Sequence, residues 1–218
     1  MRNVQRLKKP RVLEANEAKW RQDLLDELAK GNRADKKRLK GLYGKYAHDE
    51  VKARLAKMYK NYCCYCECKI TVVTRPHIEH RKPKDRKQFP ELTFDWDNLH
   101  LVCPNCNGSK GSQWDSKHPI LDAVQDVPIS DHLVYRKYYR YPTSARGRTT
   151  RDHANLDGTH LVDARVTVFW EAYRLIEEHN KNPQAPGAGV VRAELHDLTD
   201  GQFGSFIDYL IDLLMKES

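Results

Sequence analysis

Two Cys-x-x-Cys pairs stand in the middle of the chain, formed by Cys63 with Cys66 and by Cys103 with Cys106. A two-residue spacing places two sulfurs on one tight turn, and two such turns supply the four thiolates of a tetrahedral zinc site. All six cysteines lie between residues 63 and 106. In a reducing compartment, such clustering is more typical of a metal site than of disulfide bonds. Cys68 could replace Cys66, but Cys66 matches the spacing of the downstream pair. We therefore predict a structural Zn²⁺ bound by the four paired cysteines, with Cys64 and Cys68 as free thiols.

Four polar residues in the same stretch could hydrolyse a phosphodiester: Glu79, His80, Asn98 and Asn107. A neutral imidazole, with a pKa of about 6.5, can take a proton from water, so His80 is the predicted general base. Glu79 and Asn107 offer hard oxygen ligands that suit one catalytic Mg²⁺, with Mn²⁺ as a possible substitute. The Asn98 amide can bond to nearby backbone, so we expect it to position the loop that carries His80.

Short strands and a helix must hold these groups. Runs of β-branched and apolar residues predict strands over 69–74 and 99–102, and a helix is expected from Asn107 to about Trp114. Neighbouring residues of a regular strand point to opposite faces. For Glu79 and His80 to serve one site, the strand is therefore expected to end or bend there.

Amphipathic helices are predicted on both sides of this centre, over residues 16–30, 49–59, 161–179 and 203–215. Asn16 is the expected cap of the first helix and Gly31 its stop. The whole chain therefore indicates a mainly helical α+β protein. Its predicted regions are an N-terminal helical flank (1–59), a zinc-stapled core (60–116) and a basic, helical C-terminal region (117–218).

The charge of the chain favours a polyanionic partner. The 218 residues carry a formal net charge of +8, which favours nucleic acid over an acidic protein or a neutral small molecule. The stretch 131–151 holds six cations against one acid and interleaves them with tyrosines. It could clamp a phosphate backbone and stack bases, or it could be a strand with buried tyrosines and solvated arginines. The predicted nucleic-acid contacts are Arg81, Lys82, Lys110, Arg146 and Arg148.

The sequence holds no run of about 18 apolar residues, and residues 1–15 are basic and polar. Neither a membrane span nor a secretion signal is therefore expected. We predict a cytoplasmic protein without a membrane partner.

The order of these residues between two zinc knuckles resembles the HNH endonucleases. The resemblance rests on His80 after an acid, on Asn98 in the Asp-Asn-Leu run, and on a third position, often His, that is Asn107 here. It covers about 50 residues and implies a ββα-metal nuclease core. Asn107 departs from the usual His but keeps an oxygen ligand.

A wider resemblance links the chain to the PtuB nucleases of Septu and retron-associated antiphage systems. The segments that carry it are residues 1–4, 63–67, 78–83, 106–111 and 149–156. That family acts with PtuA, an ABC/SMC-like ATPase, so the resemblance implies a nuclease effector within a defence complex.

Two other classes of protein remain open at this point. A zinc-ribbon module could bind nucleic acid without catalysis, but it would not need His80 beside Glu79. A structural adaptor could dock on an ATPase through an apolar C-terminal helix, which would leave the catalytic set without a role.

Overall fold

The computed structural model describes residues 1–71 and 75–215. Three helices precede the first cysteine pair: α1 (Arg11–Ala29), α2 (Lys36–Gly44) and α3 (Asp49–Met58). The expected Asn16 cap is wrong. Helix α1 begins at Arg11 after Pro10, whose φ of −61° already suits a helix start, and Asn16 lies inside the helix with its amide donating to the carbonyl of Val12. Gly31 follows the helix end with a φ of +60°, as the sequence predicts.

Helix α2 lies in a basic stretch whose apolar pattern did not predict it. Asp35 caps this helix by accepting hydrogen bonds from the backbone N–H groups of Lys37 and Arg38. Helix α3 agrees with its prediction, and it buries Val51, Leu55 and Met58 along one face. The chain then enters the first cysteine turn.

Strands β1 (His77–His80) and β2 (Leu99–Val102) pair antiparallel, with Glu79 opposite His100 and His80 opposite Leu99. Strand β2 is confirmed, but the prediction of the first strand over 69–74 is wrong in its described part. Residues 72–74 lie outside the described residues, and Lys69 forms a single bridge with Tyr62. Residues 69–71 therefore form no regular strand, and the strand that pairs with β2 contains Glu79 and His80, the predicted catalytic residues.

Helix α4 (Pro104–Lys110) follows β2 and begins earlier than predicted. Cys103 is its cap and Pro104 its first residue, a position where the missing N–H of proline costs nothing. The helix ends at Lys110 and Gly111 follows it with a φ of +50°, so the expected extension to Trp114 is wrong. Asn107 therefore lies in the middle of α4, one turn before Lys110.

A second hairpin, β3 (Leu133–Arg136) with β4 (Tyr139–Pro142), leads into α5 (Ala145–His153), α6 (Thr159–Lys181), α7 (Ala188–Asp200) and α8 (Gly204–Leu214). The predicted last two helices correspond to α6 and α8, whereas α7 was not predicted. Helix α8 packs Phe206, Ile207 and Leu210 into the protein's own core. No helix within 1–71 and 75–215 combines the length and apolar content that crossing a bilayer requires.

The carboxylate of Glu67 connects the first cysteine turn to both ends of the described chain. It bonds to the Met1 amino group and accepts hydrogen bonds from the Arg2 side chain and from the backbone and hydroxyl of Ser205. Burial opposes ionisation of Glu67, but the Met1 amino group and Arg2 outweigh it and hold the pKa of this carboxyl far below its usual range. Glu67 thus joins the cysteine turn to residues of both flanks.

Candidate active site

Four cysteine sulfurs meet where the turn after α3 contacts the start of α4. The Sγ atoms of Cys63, Cys66, Cys103 and Cys106 all lie within 4.8 Å of one another. The Cys66 and Cys103 sulfurs are 3.8 Å apart, and a tetrahedral Zn²⁺ with Zn–S bonds of about 2.3 Å gives sulfur separations of about 3.8 Å. The cluster can therefore hold a metal ion, and its dimensions suit zinc.

The chain supports these sulfurs through its backbone and through the thiols themselves. The N–H of Cys106 donates to Cys103 Sγ at 3.5 Å. Burial opposes ionisation of Cys63, but hydrogen bonds from the Cys103 and Cys106 thiols hold its pKa well below the usual range. Cys63 therefore favours the thiolate, the form that binds zinc, whereas the neighbouring thiols hold the pKa values of Cys66 and Cys106 well above the usual range.

His80 lies at the end of β1 and is only 5% exposed. Its Nε2 is 2.9 Å from the carbonyl oxygen of Thr93. A carbonyl can only accept, so Nε2 carries the proton and Nδ1 keeps a free lone pair. Burial, and then the positive charge of Lys84, lower the pKa of His80 to about 3, so the imidazole is neutral at pH 7. The ring is thus fixed in the tautomer that a general base requires.

Glu79 forms a buried ion pair with Lys110. The ammonium lies 2.5 Å from Oε1 of Glu79 and donates a hydrogen bond of 3.1 Å to the carbonyl of His80. Burial raises the pKa of Glu79, whereas Lys110 and the Tyr65 hydroxyl oppose that rise. Both contacts fall on Oε1, which leaves Oε2 as the oxygen for a ligand. The prediction that Lys110 contacts nucleic acid is wrong, because its side chain is fully buried.

Asn107 lies on α4 beside β1. Its amide donates to Nδ1 of His77 at 3.1 Å, which directs the amide nitrogen toward His77. One cavity of about 520 Å³ is lined by Asn107 together with Glu79 and His80. Strand β1 ends at His80, as the arrangement requires, and the predicted base and both predicted oxygen ligands therefore border the same space.

Asn98 makes the positional contacts that were expected of it. Its Oδ1 accepts from the backbone N–H of Lys82 at 2.7 Å, and its Nδ2 donates to the carbonyls of Lys82 and Leu92. These three bonds connect the segment after His80 to the segment before β2. Asn98 does not line the cavity, so its contribution is to hold the loop.

The cavity also has a wall that the sequence did not predict. Tyr43 and Tyr46, from α2 and the turn after it, line the space together with Lys84. The two tyrosines are more than 30 residues from Glu79 in the sequence. No local pattern connects them to the site, although Lys84 belongs to a visibly basic loop.

The cationic residues that were predicted to contact nucleic acid fall into two groups: some side chains are paired within the protein and others are not. Arg146 forms two hydrogen bonds to the Asp126 carboxylate, at 2.7 and 2.5 Å, and a third to the carbonyl of Pro119. Arg81 is also occupied, because it donates to the carbonyl of Ile120 and approaches the carboxylate of Asp122. The charge of Arg146 is therefore neutralised within the protein by Asp126, and its contact with nucleic acid stays a prediction.

Two of these predicted residues, Arg148 and Lys82, have a positive charge that no carboxylate of the described chain neutralises. Arg148 is exposed, and its guanidinium group has no hydrogen bond or ion pair within 1–71 and 75–215. Lys82 lies over the rings of Phe89 and Trp114, at 5.6 and 6.0 Å from the ring centres, without a carboxylate partner in the described chain. The tyrosines of the 131–151 stretch also divide, since Tyr135 is buried whereas Tyr139 is 51% exposed.

Comparison with known proteins identifies the class of this centre. Residues 63–113 match the family described as HNH endonuclease. The match begins at the first cysteine of the cluster, includes the predicted catalytic residues and ends three residues after Lys110. The chain therefore carries an HNH endonuclease domain.

Beyond the domain, the chain is similar to two Septu proteins named PtuB. It is 32% identical to the one from Bacillus thuringiensis over 130 residues, which cover 59% of this chain and 49% of the relative. It is 35% identical to the one from Bacillus mycoides (strain KBAB4), over 29% of this chain and 25% of that relative. The matched region spans about half the length of the first relative.

The sulfur cluster leads to a test of metal content. We expect one zinc per chain, and we expect Cys106→Ala to lose the zinc and unfold the centre. In small zinc sites the binding free energy, about 10–16 kcal/mol, acts as folding free energy. Elemental analysis and thermal unfolding would measure both effects. Cys68→Ser is the matched control, because Cys68 lies outside the cluster, and zinc-free wild-type protein purified under reducing conditions would contradict the assignment.

Substitutions of the two arginines Arg146 and Arg148 are expected to have different effects, one on stability and the other on nucleic-acid binding. We expect Arg148→Ala to weaken nucleic-acid binding and flatten its dependence on log salt by about 0.7–0.9, because one phosphate contact is lost. We expect Arg146→Ala to destabilise the fold by about 1–3 kcal/mol, because Asp126 loses a charged partner. Salt-titrated binding and urea unfolding would measure these effects. An unchanged salt slope for Arg148→Ala would show that Arg148 is only solvated.

Proposed function

We propose that the protein is a metal-dependent endonuclease that hydrolyses phosphodiester bonds of nucleic acid. One observation carries the proposal: His80, whose Nδ1 keeps a free lone pair, lines the same cavity as the predicted oxygen ligands Glu79 and Asn107 inside an HNH domain. A module that only binds nucleic acid has no need of a buried imidazole whose tautomer is fixed by a carbonyl.

In this proposal the chain's own residues supply the base and its support. Nδ1 of His80 takes a proton from the attacking water, while the N–H at Nε2 keeps its bond to Thr93 and holds the ring. The oxygen that leaves the phosphorus is the 3′ oxygen of the cleaved strand. Asn98 and Lys110 keep the backbone around His80 in place.

The donor set fits one hard cation. Oε2 of Glu79 and the side-chain oxygen of Asn107 would hold Mg²⁺, or Mn²⁺ in its place. When bound, the ion would supply positive charge to the scissile phosphate and to the leaving oxygen. The four thiolates suit Zn²⁺ instead, so each metal has its own ligand chemistry.

We further propose that the chain works in Septu-type antiphage defence as the nuclease subunit of a complex with an ABC/SMC-like ATPase. The similarity to the two PtuB proteins supports this reading. The sequence leaves open whether the apolar C-terminal helix packs in the core or docks on a partner, and the face of α8 that carries Phe206, Ile207 and Leu210 packs in the protein's own core. Exposed apolar side chains of the C-terminal helices are better candidates, and they are Trp170 on α6, Val190 on α7 and Leu213 near the end of α8.

The catalytic assignment is tested by His80→Ala. We expect this variant to lose about 10²- to 10⁴-fold in cleavage rate while it keeps its zinc and its thermal stability, because the imidazole serves the water and not the sulfur cluster. Plasmid DNA and total tRNA, each incubated in Mg²⁺ and in EDTA with and without the ATPase, would also identify the substrate. His118→Ala, a half-exposed histidine outside the cavity, is the control. A fully active, folded His80→Ala protein would contradict the assignment.

The partner proposal is tested by co-purification with the ATPase. Truncation of α8 would remove buried core residues, so a surface substitution is the sharper probe. We expect Trp170→Ala to weaken association about tenfold or more, because exposed tryptophans at interfaces often dominate binding. Tyr139→Ala is the control, as another exposed aromatic residue. Undiminished association of Trp170→Ala would place the interface elsewhere.

A further inference from the structure

Lys84 differs from the other cations of the loop after β1. Arg81 is bound to the carbonyl of Ile120, and Arg86 donates to the carbonyl of Leu28. Lys84 is half-buried and lines the cavity beside Glu79 and His80. Within 1–71 and 75–215 its ammonium has no carboxylate in ion-pair contact. Glu79 and Asp85 line the same cavity and act on Lys84 through their charge, but neither forms an ion pair with it, so the ammonium remains available to a ligand.

Tyr46 holds both Lys84 and the predicted base. Its ring face lies under the ammonium of Lys84, 5.0 Å from the ring centre. Its ring edge packs against the imidazole of His80, with centres 4.5 Å apart and planes at 88°. Both the cation–π contact and the edge-to-face contact are attractive and depend on the orientation of the ring. One ring from the N-terminal flank therefore sets the relative positions of the ammonium and the imidazole.

The chemistry of this wall suits a phosphate. The carboxylate of Glu79 is already paired with Lys110 at 2.5 Å, whereas Lys84 lines the same cavity without a carboxylate in ion-pair contact in the described chain. A partly desolvated ammonium is stabilised when an anion replaces the water that it has lost. A non-bridging oxygen of a phosphodiester is an anion that can enter the cavity together with a scissile bond.

We propose that Lys84 is a further catalytic residue, which binds a non-bridging oxygen of the scissile phosphate, and that Tyr46 is the positioning residue that holds Lys84 against His80. This proposal rests on the proposed nuclease function. It assigns the N-terminal flank a part in the active site, because Tyr46 lies outside the segment that matches the HNH family.

Rate measurements on the full-length protein test the catalytic part. We expect Lys84→Met to lower the single-turnover cleavage rate about 10²-fold, as loss of a preorganised electrostatic contact does, and Lys84→Arg to restore most of the rate. Lys57→Met removes the same charge from an exposed position on α3 and should cleave at the wild-type rate. A Lys84→Met rate within threefold of wild type would overturn the proposal. Zinc content and thermal unfolding would verify that each variant is folded.

The positioning role of Tyr46 has its own signature. We expect Tyr46→Ala to lower the maximal rate about tenfold without changing the affinity for substrate, because the ring touches the ammonium and the imidazole. Tyr46→Phe should be close to wild type, because the ring alone makes both contacts. If Tyr46→Phe were as slow as Tyr46→Ala, the ring contacts would not be the cause.

Binding measurements separate this proposal from the nuclease proposal. In EDTA, with an oligonucleotide duplex and a single strand as probes, Lys84→Met should flatten the salt dependence by about 0.7–0.9, whereas Lys57→Met should not. An unchanged slope for Lys84→Met would overturn the phosphate contact, even if the rate fell. If the wild-type protein cleaved nothing, the nuclease proposal would fail, and the salt slope would still decide whether Lys84 contacts phosphate.

Discussion

The geometry of the centre depends on the buried ion pair between Lys110 and Glu79. Their side chains are 0% and 3% exposed, so neither charge has water to replace its partner. Removing one member of such a pair typically costs about 3–5 kcal/mol, because the other charge is left buried and alone. The pair spans α4 and β1, and the same ammonium bonds to the carbonyl of His80. A single cation thus fixes the carboxylate and the backbone of the base together.

The sulfur cluster anchors the N-terminal end of α4, opposite to the end that carries Lys110. Cys103 caps α4 and Cys106 lies in its first turn, whereas Lys110 is its last residue. Asn107 lies between them, so this predicted oxygen ligand is held on a short helix that is anchored at both ends. A seven-residue helix is too short to be stable on its own. Its order therefore comes from these two attachments, and the position of Asn107 depends on both.

The sequence predicts those features whose cause is local. The four paired cysteines, α3 and β2 follow from spacing and apolar periodicity, and the structure has them where they were expected. The charged residues were harder to assign, because the sequence gives the charge of a side chain but not its partner. Lys110 and Arg146 look like surface cations in the sequence, yet both have carboxylate partners from distant segments. The role of Tyr46 could not be predicted from the sequence, because its contact with His80 forms only when the N-terminal helices pack against the nuclease core.

The positions of the cations that lack a carboxylate partner therefore indicate where a polyanion would bind, which the net charge of +8 cannot do. Several cations neutralise internal carboxylates and contribute nothing to a local surface field. Those without carboxylate partners in the described chain include Lys84 in the cavity, Lys82 over two aromatic rings and Arg148 on α5. An unpaired ammonium in a half-buried cavity exerts a stronger field than one in water, because the surrounding dielectric constant is lower. A polyanion would thus be attracted to the cavity by the charge that folding has left unpaired there.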